Sequence, residues 1–366
     1  MAEVLAPSAT ERSDAGEYRT YAGSWWRRTF LTHEAAMLAA LVVLSVAAIS
    51  AIPRFGTPLT LSYLLLDVTP ILLCALPVTL ILVSGEIDLS VASAVGLSNV
   101  LLGYLYAQGI PIALAIAVAI LSGLVIGLVN GFLVGVLKLP SLAVTIGTLA
   151  LFRGVSVGML GTDSITDFPV ALKSLANANF PGTGVPLVMV VVAVAIIAFA
   201  LVLHLTPFGR SIYAIGRGIE MARFSGVKVV RLKFLLFVMS GLVAGVVGVF
   251  YTFRYGSARG DNASGLELAV IAGVVLGGVS IFGGRGRVLG VTAGVLLIGL
   301  LQSVLRFLNY SADVINIAVG GLLVLSVVVP LIAEKATRAV TSARRARSMS
   351  VTEDPSTSHR KAEPEK

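Results

Sequence analysis

The chain has 366 residues, 57% of them hydrophobic and only 13% charged, with a formal net charge of +8 and a mean hydropathy of +0.95. A soluble globular domain carries roughly a quarter charged residues, and here apolar runs of about 20 residues recur without polar/apolar alternation, which excludes both a soluble fold and a β-barrel. The positive charge gathers between the runs and in the tails, which argues against nucleic acid as a partner, and the single cysteine, Cys74, excludes a disulfide within the chain or a cysteine metal cluster.

In chain order, residues 1–33 read as a polar cytoplasmic tail ending in Trp25-Trp26-Arg27-Arg28, an aromatic and basic anchor for a membrane surface. The apolar pattern then predicts an all-α polytopic domain over 34–332 with about ten transmembrane helices. The first five spans are Ala35–Ile52, Leu61–Val83, Leu89–Tyr106, Ile112–Val136 and Leu142–Leu160. Pro70 and Pro77 predict a kink or break in the second. A longer outer loop through Pro186 leads to the sixth span, Leu187–Leu205. Phe234–Phe253, Leu266–Phe282, Val288–Leu308 and Val314–Ile332 complete the set, and the tail 333–366 reads as disordered, basic and able to lie on anionic lipid.

The longest polar interruption is 207–233, PFGRSIYAIGRGIEMARFSGVKVVRLK, with six basic residues against one acid. Its glycines predict a short helix between two turns, at about Ile219 to Ser225, in which Met221 and Phe224 share one side above a basic rim. Such a knob suits a cleft on a soluble partner; the plainer alternative is a solvated loop whose charge only fixes topology. With both termini placed inside, 21 of the 27 basic residues fall on that side, and the other six are Arg54, Arg153, Lys173, Arg254, Arg259 and Arg306.

Glycines four apart (123, 127, 131 and 135 in span four, 241 and 245 in span seven, 273 and 277 in span eight, 290 and 294 in span nine) predict helix faces that allow close backbone approach. LVNGFLVGVLKL resembles LLIGLLQSVLRF, with Lys138 inside and Arg306 outside, which suggests an inverted repeat.

No P-loop, zinc motif or nucleophile elbow occurs, and His33, His204 and His359 have no partner at metal spacing, so the chain itself is not expected to be an enzyme or to hold a cofactor or metal. Gly283-Gly284-Arg285-Gly286-Arg287 reads as a tight basic turn. The polar groups within spans are Asn99, Asn130, Thr145, Thr148, Arg153, Ser240 and Gln302. Neutral hydroxyls and amides suit hydrogen bonding to a sugar or polyol, so Asn99, Asn130, Thr145, Thr148 and Gln302 are the candidates for a translocation path, with interhelical hydrogen bonding as the alternative. The scarcity of acids in the spans weighs against a proton-coupled carrier, the alternative function.

Three stretches carry a resemblance. Ser84-Gly85-Glu86-Ile87-Asp88-Leu89-Ser90 resembles the SGGIDLS signature of permease subunits of ribose-type ABC importers. Ala214–Val229 resembles their coupling loop, and Leu276–Gly286 resembles their LGGxSxxGGxG stretch. Within that family Ala75–Ser90 (ALPVTLILVSGEIDLS), the Phe168-Pro169 outer loop and Tyr255-Gly256-Ser257-Ala258-Arg259 resemble the D-type permeases of autoinducer-2 (Lsr) importers, and rhamnose-type permeases are similar. Glu86 departs from the signature's second glycine, and Gly218 and Met221 stand where many relatives have Asn and Ala. The resemblance implies a type II importer fold with an inverted repeat in the bacterial inner membrane. It also implies import of a small sugar or sugar-like molecule, pairing with a second permease as homodimer or heterodimer, cytosolic ABC ATPases, and a periplasmic sugar-binding protein. ATPase coupling would fall on Arg217, Gly218, Glu220, Met221, Arg223, Phe224, Ser225 and Gly226.

Overall fold

The structure is a computed structural model and describes residues 33–328 and Ile332. The N-terminal anchor and the C-terminal tail lie outside the described residues. The described chain is helical and has no β-strand, only two isolated bridges, Ile165 with Ala258 and Asn179 with Pro186. Its helices are α1 (His33–Ala51), α2 (Pro58–Val83), α3 (Val91–Ala107), α4 (Ile112–Gly131, continued as a π-turn over Phe132–Val136), α5 (Ser141–Leu160), α6 (Val170–Ala176), α7 (Val188–Leu205), α8 (Pro207–Arg217), α9 (Ile219–Phe224), α10 (Val229–Tyr255), α11 (Leu266–Leu276), α12 (Val288–Phe307) and α13 (Ala312–Val328).

Seven of these helices are long and apolar enough to cross a membrane, and α3, α11 and α13 are shorter apolar helices. Together they occupy the ten predicted stretches. The membrane domain is therefore multi-pass, and successive helices run between two ends of the bundle. One end carries α8 and α9, and the other carries α6.

The sequence-based expectations need three corrections. The second span is not broken: α2 is one helix with Pro70 and Pro77 inside it. Apolar on every side and buried almost throughout, α2 lies at the centre, where neighbouring helices support the turns that proline deprives of an N–H. The basic segment holds two helices rather than one. α8 precedes the expected short helix and is started by Pro207 and by the Thr206 hydroxyl, which accepts from Gly209 N at 3.2 Å.

The third correction concerns span eight. Its helix stops at Leu276, and at about 1.5 Å per residue its 11 residues reach only half of the roughly 30 Å hydrocarbon thickness. The missing length is irregular chain over 257–265 that descends beside α3. Ala258 lies against Gly103, where an added Cβ would come within 2.4 Å of it, and Ala263 lies beside Gly96. Non-helical backbone at this depth requires partners from the protein. Asn99 supplies them: its Nδ2 donates to Ser257 O (3.1 Å), and its Oδ1 accepts from Arg259 N and from Asn262 Nδ2 (3.2 Å each).

The glycine stripes are closely apposed. A Cβ on Gly123 would sit 2.4 Å from Gly241 O, and one on Gly241 would sit 2.3 Å from Gly123 O, so α4 and α10 meet backbone to backbone. Gly290 and Gly294 of α12 face Gly277, just past the end of α11, and Gly273 within it in the same way, at 2.2 and 2.4 Å from their carbonyl oxygens. Without a hydrophobic driving force between helices in lipid, such close packing supplies the dispersion energy that holds them together. At the α6 end, Asp67 ties α2 to α10 and α12 through Arg254 (3.1 Å) and Arg306 (2.5 Å).

Candidate functional site

The three stretches that carry the family resemblance meet at the α8–α9 end. Gly284 N donates to Val83 O (2.8 Å), just before the signature turn. A Cβ on Gly216 would lie 2.0 Å from that same carbonyl and 2.4 Å from Gly284 N, and one on Gly283 would lie 2.9 Å from Gly85. Only glycine permits three backbones to share this space. Tyr213 Oη of α8 donates to Gly286 O at 2.6 Å, and burial raises its phenol above the ordinary range.

Residues 84–90 are bound on all sides. The Ser84 hydroxyl donates to Ile81 O (2.7 Å). Ile87 is clasped by α5: its N–H donates to Ser141 Oγ (3.1 Å) and its carbonyl accepts from Thr145 Oγ1 (3.3 Å). Asp88, fully buried, accepts from Ser90 N (2.9 Å) and Ser90 Oγ (2.6 Å) on one oxygen and from Ser240 Oγ of α10 (2.7 Å) on the other. Burial raises its carboxyl above the usual carboxylate range, and the hydrogen bonds from Ser90 and Ser240 oppose that rise. Asn130 of α4 donates to Ser90 Oγ (2.7 Å). Glu86, the departure from the signature, forms an ion pair with Lys233 in the first turns of α10, and both side chains are largely buried, at 14% and 12% exposed. One turn thus touches α4, α5, α10 and the 277–287 loop, and Val83 just before it touches α8.

α9 is the outermost part of this end. Ala222 anchors it, while Phe224 is 91% exposed and Met221 66%. Glu220 and Arg223 pair on its surface at 2.9 Å. Gly218 opens it in an extended conformation, and Ser225 and Gly226 close it, with Gly226 in the left-handed region (φ 81°) that favours glycine. The knob inferred from the spacing of Met221 and Phe224 is therefore exposed, next to Arg217 and Arg223.

The second polar feature is at the broken span. Arg153 of α5 binds both carboxylate oxygens of Glu267, in the first turn of α11, at 3.1 and 3.0 Å. The guanidinium is 32% exposed and the carboxylate 11%. Beside it, Gly147, Gly154 and Gly158 of α5 have no neighbour within contact of an added Cβ, so this helix face is open. Discontinuous helices with a charged group at the break are a recurring construction of solute sites in transporters.

The path candidates do not converge on one cavity. Asn99 holds the irregular segment, Asn130 and Thr145 hold the signature turn, and Thr148 donates to Val144 O in its own helix (3.0 Å). Gln302 is half-buried on α12. Glu267 is absent from the polar residues singled out within the spans although it is the second residue of the predicted span Leu266–Phe282; the signal available was a carboxylate opening an apolar segment.

Comparison with known proteins agrees with this geometry. The chain is similar to the autoinducer 2 import system permease protein LsrD of Escherichia coli K12, 36% identical over 298 residues, covering 80% of this chain and 90% of that protein. The LsrD proteins of Shigella flexneri and of E. coli O157:H7 match with the same identity and coverage. No solved structure matches. The profile of a permease family covers residues 60–328, from α2 through α13, and the chain belongs to that family, the permease component of the branched-chain amino acid transport system.

Proposed function

We propose that this chain is the membrane-spanning permease subunit of an ATP-driven importer for a sugar-like solute of the autoinducer-2, rhamnose or ribose class. The α8–α9 end faces the cytosol, as the concentration of basic residues there requires. The observation that carries the reading is α9: a six-residue helix with Phe224 almost wholly solvent-exposed, bounded by glycine and standing on a glycine-only junction. A bare aromatic at the tip of a membrane protein is explained by a protein that covers it.

The mechanism follows from the contacts. A cytosolic ABC ATPase holds α9 through Met221 and Phe224, with Arg217, Glu220 and Arg223 around them. ATP-driven closure displaces α9 and α8 together, and the Gly216–Val83–Gly284 junction passes the displacement to the signature turn. Asp88, Glu86 and Ile87 then carry it into α10 and α5. α5 bears Arg153 and the open glycine face, so its movement against α11 changes access to the path, and a second permease subunit supplies the opposite wall. In this reading Asn99, Asn130, Thr145 and Thr148 set the positions of the elements that move, while Gln302 and the Arg153–Glu267 pair lie nearer the solute. A periplasmic sugar-binding protein delivers the solute to the α6 end.

The competing reading, an ion-coupled carrier, is favoured by one observation: Asp88 is a fully buried carboxylate with no cation in contact among the described residues. Uptake of labelled solute by cells separates the two. The importer predicts uptake that stops on ATP depletion and survives collapse of the proton gradient, and the opposite pattern would reject it.

A further inference from the structure

On the flank of the α8–α9 end lies a cavity of ≈ 600 Å³ that shares Arg217 and Gly284 with the coupling scheme but whose open space has no part in it. Its walls are the last residues of α7, the outer side of α8, the start of α1 and the 277–287 loop. Four arginines line it, Arg210, Arg217, Arg285 and Arg287, against one acid, Glu34. Arg287 pairs with Glu34 at 3.3 Å, and none of the other three forms an ion pair with a described carboxylate. The remaining wall is largely glycine, at 277, 278, 284 and 286, so a ligand can approach the main chain directly. Left empty, such a cavity gathers mutually repelling guanidinium groups around open space; an anion relieves that repulsion.

We propose that this cavity binds a phosphate-bearing ligand. Guanidinium is the side chain that matches phosphate oxygens two at a time, and more than one suits a phosphomonoester of charge near −2 as well as the singly charged phosphodiester of a lipid headgroup. The site opens where α7 ends and α12 begins, at the level where a span meets water, so a phospholipid headgroup can reach it from the side and a phosphorylated small molecule from solution. The basic turn Gly283–Arg287 thereby has a second task besides its place in the glycine junction. The inference does not rest on the transport reading, because the cavity would hold phosphate whatever the protein moves.

The test uses the purified full chain in lipid nanodiscs and in detergent. Retained lipid is read by native mass spectrometry from discs containing phosphatidylglycerol or phosphatidylcholine. Soluble binding is read by thermal unfolding against glucose 6-phosphate and inorganic phosphate, with sodium chloride at matched ionic strength. The variants are the exposed pair R210Q/R285Q and, at the far end, R259Q. If the ligand is a headgroup, phosphatidylglycerol is retained at least tenfold over phosphatidylcholine, and R210Q/R285Q but not R259Q removes the preference. If it is a soluble phosphate, glucose 6-phosphate or inorganic phosphate raises the unfolding temperature saturably, and the double variant weakens the response at least tenfold. Excess inorganic phosphate displacing the bound probe from the unsubstituted chain gives a readout independent of the variants. No preference for any phosphate probe over chloride, or equal binding by R210Q/R285Q, overturns the proposal.

Discussion

The ion pair between Glu86 and Lys233 joins the signature turn to the helix that follows α9, and its worth can be measured. Both side chains are at least 86% buried, so solvent screens them little. At an effective dielectric near 20 two unit charges attract by about 4 kcal/mol at 4 Å, and desolvation of both ions takes back part of that. We expect a coupling of about 2 kcal/mol. Lys233→Met leaves Glu86 buried without its cation and is expected to destabilise by about 3 kcal/mol, the usual result of breaking a buried pair from one side. Glu86→Gly, which restores the residue typical of the signature, leaves a lysine whose long stem can carry its charge toward water, and is expected to cost about 1–2 kcal/mol. The double variant removes both charges, and with that coupling it is expected to cost about 2–3 kcal/mol instead of the roughly 4–5 kcal/mol of the two single changes added. Thermal or denaturant unfolding of the purified chain in detergent, arranged as a double-mutant cycle, reads the coupling directly. Additivity of the two substitutions within about 0.5 kcal/mol would refute the claim that Glu86 departs from glycine because Lys233 is there to meet it.

Other expectations follow from the same contacts. Gly216→Ala places a methyl 2.0 Å from Val83 O in a junction with no room to relax, so it is expected to destabilise by more than about 3 kcal/mol, while Gly147→Ala, inside a helix with nothing near, is expected to stabilise by up to about 1 kcal/mol in the same unfolding assay. Arg153→Met strands Glu267 at the start of α11; because the guanidinium is a third exposed, a stability loss of about 2 kcal/mol is expected, with a larger loss of uptake, and R153Q/E267Q is expected to regain stability without regaining uptake. If the double variant transports normally, the pair is a structural clamp only. Phe224→Ala removes a side chain that is 91% exposed, so unfolding is expected to be unchanged within about 0.5 kcal/mol while ATPase association falls.

The fold was legible where the chain's physics is local. Continuous apolar runs mark the helices because lipid demands them, and glycines four apart locate the α4–α10 and α11–α12 contacts because a Cβ there would meet backbone. The similar stretches 128–139 and 296–307 run in opposite directions across the bundle. What stayed hidden was set by tertiary context. α2 keeps its helix through Pro70 and Pro77 because neighbours surround it. The half-length of α11 depends on Asn99, more than 150 positions away, satisfying the backbone of Ser257 and Arg259. Buried amides and hydroxyls look alike in sequence whether they face a solute or a carbonyl, so Asn130 and Thr145 read as path residues although they hold residues 87–90. Lys233 stands in a basic stretch that sets topology, and its partner could be found only once Glu86 was seen beside it.

The measurement that tests the central claim most directly is affinity capture of the chain from its native membranes, with the M221A/F224A variant in parallel and bound proteins identified by mass spectrometry. The account predicts that an ABC ATPase comes with the unsubstituted chain and is lost with the variant, while a second permease subunit, held through the membrane helices, comes with both. Recovery of the ATPase in equal amount with M221A/F224A would contradict the docking role of α9. Absence of any ATPase from both captures, with the second subunit present, would contradict the ATP-driven importer itself.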